Sequence, residues 1–131
     1  MTALKDFMTT SVHTVTADAT VSEAAEAMVR GRFGSVVVMA GGTLTGIFTE
    51  RDVLRAAARR ADLSTSTVRD WMTPDPVTAS GDTEADDAAE TMISQGFRHL
   101  PVTERGKLQG IVSLRDILSD RMHLHRGRPA R

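Results

Sequence analysis

Two carboxylates stand out, each three residues after a hydroxyl side chain. Asp52 follows Thr49 in Gly46-Ile47-Phe48-Thr49-Glu50-Arg51-Asp52-Val53, and Asp116 follows Ser113 in Gly110-Ile111-Val112-Ser113-Leu114-Arg115-Asp116-Ile117. Each octapeptide reads as the end of an apolar strand, a hydroxyl residue, and a charged turn that opens a helix. A carboxylate in the first turn of a helix can accept hydrogen bonds from both hydroxyls of a ribose, and charge assistance strengthens such bonds. A hydroxyl at a helix N-terminus lies where unpaired N–H groups and the helix dipole favour phosphate. Gly46 and Gly110, placed in strands, leave room for close approach of a ligand or of another backbone. The same spacing has a purely structural reading. Thr49-x-x-Asp52 and Ser113-x-x-Asp116 satisfy a loose capping-box pattern. The local pattern alone favours capping, and the two roles are compatible.

The elements that must position these groups are duplicated. From Ala24 to Leu54, thirteen of 31 residues are identical to the residue 64 places on, where background composition gives roughly two or three. Each repeat, at about 60 residues, is marginal as an independent core, so the repeats are expected to share one. The net charge of -1 leaves no global field favouring nucleic acid or an anionic membrane. The chain has no cysteine, which excludes disulfides and thiolate metal sites. No apolar run has the length of a membrane span, and no signal-like core opens the chain, so a cytoplasmic location is expected.

In chain order, residues 3–8 suggest one helical turn, and Val12–Thr16 a strand. Thr20-x-x-Glu23 resembles a capping box before an amphipathic helix that ends near Arg30-Gly31. Ser35–Met39 predicts a strand buried on both faces. Ala40-Gly41-Gly42-Thr43 predicts a hairpin turn, and Leu44–Phe48 the returning strand. Thr49 opens a helix to about Ala61. After a polar linker the plan repeats. Residues 68–72 restore the helical turn, Pro76–Thr78 the strand, and Asp82 or Thr83 is expected to cap a helix with Ala85, Ala88, Ala89, Met92 and Ile93 inward. His99–Val102 and Lys107–Val112 form the second hairpin, and Ser113 opens a last helix to about His123. The domain plan is repeat 1 at 1–63, linker 64–67, repeat 2 at 68–125, and a basic, frayed tail at 126–131. The fold class expected is α/β (α+β), with two β-α-β-β-α repeats.

This arrangement resembles a tandem pair of CBS domains (the cystathionine-β-synthase motif), a Bateman module. The resemblance spans roughly Leu4 to His123. It rests on Met8-Thr9 and Met72-Thr73, on the Ala-Ala-Glu-x-Met helices, on Arg98-His99-Leu100-Pro101-Val102, and on the doubled G-x-x-[ST]-x-R-D signature. It implies two repeats packed about a pseudo-two-fold axis, with two clefts that commonly take AMP, ADP, ATP or S-adenosylmethionine as regulatory ligand. Carried over by position, one cleft would combine Thr9, Thr14, Phe33, Ser113 and Asp116 with the basic pair Arg98 and His99. The other would combine Thr49, Asp52, Thr73, Thr78 and Phe97. Phe33 and Phe97 would wall a base, although each reads equally well as a core aromatic. The first repeat has Gly34-Ser35 where the second has Arg98-His99, so the Asp116 cleft is expected to prefer a phosphorylated ligand.

The function expected is that of a stand-alone sensor, with no catalysis, no catalytic cofactor and no metal, that pairs as a homodimer and acts on an unidentified regulated protein. A ligand-free dimerisation and interaction module is the alternative. A nucleic-acid-binding accessory protein is a weaker one, resting only on the basic tail. The four histidines form no metal set, since His123-x-His125 places its rings on different helix faces. No P-loop, dinucleotide fingerprint or nucleophile elbow occurs. Arg51 and Arg115 read as surface or ion-pair residues, Trp71 as a buried anchor, and Glu84, Asp86, Asp87 and Glu90 as a solvated helix face.

Overall fold

The computed structural model describes residues 2–122. They divide into two compact units, His13–Pro76 and residues 2–12 with 77–122.

In the His13–Pro76 unit a four-stranded sheet runs β1 (Thr14–Val15), β2 (Ser35–Ala40), β3 (Thr43–Thr49), β4 (Thr73–Pro74). β1 is parallel to β2, and the other pairs are antiparallel. The β2–β3 turn places Gly41 and Gly42 at φ 56° and 84°, which a primed hairpin turn requires. Helix α1 (Val21–Gly31) opens on the expected capping box. The Glu23 N–H reaches Thr20 Oγ1 at 3.1 Å, and the Thr20 N–H reaches Glu23 Oε1 at 2.8 Å. Its inward stripe of Val21, Ala24 and Met28 packs with Val36, Val38, Phe48, Ala56 and Val68. Val37 is also fully buried, as an unalternating apolar strand requires. Helix α2 (Glu50–Ala58) is shorter than expected. Arg60 turns left-handed at φ 60°, and the chain leaves the helix before Ala61.

The polar stretch expected as a linker is folded structure. Ser66 and Leu63 supply carbonyls to the first two N–H groups of α1, Val21 and Ser22, at 2.9 Å each. Those donors have no intrahelical acceptor, so the stretch completes the helix start. Short helix α3 (Val68–Trp71) then leads into β4.

The other unit repeats this plan with an exchange. The 3₁₀ turn Leu4–Asp6, counted with repeat 1 by sequence, packs on α4 (Ala85–Gln95), β5 (His99–Glu104), β6 (Lys107–Ser113) and α5 (Leu114–Arg121). Leu4 is fully buried there among Ala85, Ala88, Met92, Leu100, Val102, Val112 and Ile117. The hydrogen bonds match those of the first unit, position for position. Ala85 N–H donates to Thr2 O, Leu4 N–H to Thr83 O and Lys5 N–H to Gly81 O; Val21 donates to Ser66, Val68 to Ala19 and Arg69 to Ala17. Each unit therefore takes its helical turn from the segment preceding the other repeat.

Three expectations in this unit need correction. The cap of α4 is Glu84, without a side-chain cap bond, rather than Asp82 or Thr83. Glu84 stands where Thr20 does in the first repeat and lacks its hydroxyl. Ile93, expected inward, is exposed. The expected strand Pro76–Thr78 does not form; a single parallel bridge, Ala79 to Val102, lies just after it. In the first unit Val37 donates its N–H to His13 O at 3.1 Å, whereas the equivalent residue, Pro101, has no N–H to give. Helix α5 is described to Arg121. His123 and the tail at 126–131 lie outside the described residues.

Candidate functional site

Each unit builds the same strand-to-helix junction. In the first, Ser35 pairs with Thr49 across β2 and β3, and the Glu50 N–H donates to Gly34 O at 3.0 Å. In the second, His99 pairs with Ser113 across β5 and β6, and the Leu114 N–H donates to Arg98 O at 2.8 Å. The ladder thus fixes Arg98 and His99 beside the N-terminus of α5, with Ser113 and Asp116. Arg98 is exposed and His99 half-buried. The equivalent Gly34 and Ser35 bring no charge to the first junction.

Both carboxylates cap their helices, as the local pattern favoured. Asp116 Oδ2 accepts the Ser113 N–H at 3.1 Å, and the Asp116 N–H returns to Ser113 Oγ at 3.0 Å. Asp52 Oδ2 accepts the Thr49 N–H at 2.9 Å and its hydroxyl at 3.3 Å. Asp52 has a further partner that sequence reading missed: Arg55 Nη1 donates to Oδ1 at 2.8 Å. The Arg55 guanidinium lies 5.6 Å from the centre of the Trp71 ring, and Nη1 approaches Trp71 O at 3.4 Å. The i, i+3 spacing of Asp52 and Arg55 was a readable signal. Trp71 is half-buried against the core, an anchor of α3 rather than a fully enclosed one.

The glycines admit backbone, not open space. A Cβ on Gly110 would stand 2.7 Å from Thr9 O, and one on Gly46 would stand 2.6 Å from Met72 Sδ and 3.1 Å from Thr73 O. Thr9 bridges Ile111, and Thr73 pairs with Ile47, so both Met-Thr pairs end beside the β3 and β6 glycines of their own units.

The remaining expected site residues divide by unit. Thr14, Phe33, Thr49, Asp52 and Thr73 belong to His13–Pro76; Thr9, Thr78, Phe97, Arg98, His99, Ser113 and Asp116 belong to the other. Thr14, Thr73 and Thr78 are exposed. The aromatics differ. Phe97 packs against its unit's core, whereas Phe33 is 36% exposed, lies over Gly31 and pairs with the His13 ring at 5.6 Å between centroids. His13 was not singled out by sequence. Among the described residues no group of three or more His, Cys, Asp or Glu side chains could hold a metal ion, and no helix is long and apolar enough to cross a membrane.

Comparison with known proteins agrees with this architecture. The CBS domain family model matches residues 4–59 and 68–123. The CBS domain-containing protein YhcV of Bacillus subtilis is 35% identical over 93% of this chain and 87% of its own. The CBS domain protein PAE2072 of Pyrobaculum aerophilum, solved with AMP, superposes with a TM-score of 0.85 at 28% identity, covering 93% of this chain and 95% of that one. The CBS domain pair of protein MJ0100, in complex with 5-methylthioadenosine and S-adenosyl-L-methionine, gives 0.87 at 25% identity, covering 95% and 98%. The chain therefore belongs to the CBS domain family, as two CBS domains in tandem that make a Bateman module.

Proposed function

We propose that this module is a regulatory sensor that binds an adenosine-containing ligand and performs no chemistry of its own. The observation that carries this reading is the junction at α5. There the Ser113–Asp116 pair, able to receive a ribose, is flanked by Arg98 and His99, able to meet phosphate, on a fold shared with CBS pairs solved with AMP and with S-adenosylmethionine. AMP fits the basic pair better than S-adenosylmethionine, whose sulfonium carries positive charge. Binding would regulate by favouring one state of the module, and only by as much as the ligand's affinities for the alternative states differ.

Calorimetry with AMP tests this directly. Wild-type protein should release or take up heat saturably, and Asp116→Asn should weaken binding by about ten-fold or more, the equivalent of about 1.4 kcal/mol. A folded wild-type protein that binds neither AMP nor S-adenosylmethionine would leave the ligand-free interaction module as the better reading.

Pairing of copies has its own support. Val29 and Leu54 on α1 and α2 are 79% and 69% exposed, and their equivalents Ile93 and Leu118 on α4 and α5 are 68% and 51% exposed. Between α4 and α5 lies an open, largely apolar groove of about 410 Å³. Large exposed apolar side chains at matching positions of both repeats suit a homodimer joined through its helices. Ile93→Glu should then lower the mass seen by sedimentation, and an unchanged mass would argue against this pairing.

A further inference from the structure

One guanidinium nitrogen joins the start of α2 to the end of α3. Arg55 Nη1 donates to Asp52 Oδ1 at 2.8 Å and approaches Trp71 O at 3.4 Å, and the guanidinium stands 5.6 Å from the centre of the Trp71 ring. The Trp71 carbonyl lies in the last turn of α3, where carbonyls have no intrahelical donor, so Arg55 supplies one. Two residues on, Thr73 pairs with Ile47 in the sheet, and Met72 Sδ stands against Gly46.

The members of this contact are not equally free to move. The Asp52 side chain is 9% exposed and is held at Oδ2 by the Thr49 N–H and hydroxyl. The Arg55 side chain is 52% exposed and can swing into water. A donor arriving at Asp52 draws on the same carboxylate charge that holds the guanidinium, so Arg55 is the member that gives. Its contact with Trp71 O is already long, and a small shift of Nη1 ends it.

Resting on the adenosyl-ligand reading above, we propose that Arg55 is a relay that couples the state of the Asp52 carboxylate to α3. A ligand hydroxyl received by Asp52 loosens the guanidinium and changes the surroundings of Trp71. Asp52 is the receiver, Arg55 the moving part, and the α3–β4 segment the output.

Trp71 is the only tryptophan in a chain without tyrosine, so its emission reads the relay. In the free protein, Asp52→Asn and Arg55→Gln should each shift that emission. The double variant should shift it no further than the larger single change, because both release one contact. Additive shifts, or no shift in a folded Asp52→Asn, overturn the proposal. AMP and adenosine are then titrated against the wild type and Arg55→Gln, with calorimetry and emission read in parallel. The expected result is a wild-type emission change that saturates with the heat, and in Arg55→Gln heat without the emission change. Arg55 is exposed, so this variant is expected to fold and decides the matter even where Asp52→Asn unfolds. Heat with wild-type emission unmoved by either ligand, or an emission change that survives Arg55→Gln, also overturns the relay. A wild type that gives no heat with either ligand, yet shows the non-additive shift when free, refutes the adenosyl-ligand reading and upholds the coupling of Asp52 to α3.

Discussion

Leu4→Ala is the substitution on which the exchange of terminal segments stands or falls. By sequence Leu4 precedes the first repeat, yet its side chain is fully enclosed by Ala85, Ala88, Met92, Leu100, Val102, Val112 and Ile117 of the second. Truncation to alanine deletes three buried carbons in a site closed on all sides, and enclosed Leu→Ala changes cost about 2–5 kcal/mol. The upper half of that range is expected, because the surrounding residues belong to helices and strands that cannot easily collapse inward. With a urea m-value of about 2 kcal/mol/M, the midpoint should fall by about 1.8–2.5 M. Urea unfolding followed by far-UV circular dichroism measures this, and native-state hydrogen exchange locates it. Protection should fall first in α4, β5 and β6, and less in β2 and β3. A loss under about 0.5 kcal/mol, or lost protection centred on residues 13–76, would show that the turn does not belong to the core it is placed in.

Other consequences follow from single contacts. Gly110→Ala should destabilise more than Gly46→Ala, at about 1–3 kcal/mol of overpacking, since the added methyl meets the rigid Thr9 carbonyl in one case and first the flexible Met72 thioether in the other; equal melting temperatures would contradict this. Thr20→Ala should cost about 1 kcal/mol in chemical denaturation through loss of the α1 cap. The Glu23 carboxyl, held below the ordinary glutamate range by the Thr20 backbone N–H and then by the Thr20 side chain, should contribute stability at pH values above the unfolded glutamate pKa. That contribution is lost as pH falls through the lowered folded value, and a carbon-detected NMR titration of Glu23 in wild type and Thr20→Ala reads it. Arg98→Ala should weaken AMP about ten-fold and leave adenosine nearly unaffected, measured by competition, because only AMP offers a phosphate to the guanidinium.

The repeat itself was legible because its turn chemistry is unambiguous. Gly41-Gly42 and Arg105-Gly106 take the left-handed conformations a primed hairpin needs, and the flanking apolar runs fix the strands. The hydroxyl–carboxylate spacing located both helix starts. The exchange of terminal segments was not legible, because Leu4-Lys5-Asp6-Phe7-Met8 and Val68-Arg69-Asp70-Trp71-Met72 are near copies, and either could dock on either repeat by pattern alone. The loss of the strand at residues 76–78 was hidden for a different reason: the missing donor sits on Pro101, more than twenty residues away in another strand. The Asp52–Arg55 contact was readable from helix spacing, but its third member, Trp71, comes from α3, and only the fold brings it there.

If the α5 junction receives an adenosyl ligand, ligand must stabilise the folded module through Asp116. A thermal-shift titration of AMP and S-adenosylmethionine against wild type and Asp116→Asn, with both proteins first shown to be folded, addresses it most directly. At a hundred times Kd, a ligand specific to the native state should add about 2.7 kcal/mol of stability and raise the melting temperature of the wild type. That rise is expected with AMP, and its loss in Asp116→Asn. A rise that survives in Asp116→Asn, or no rise with either ligand, would contradict it.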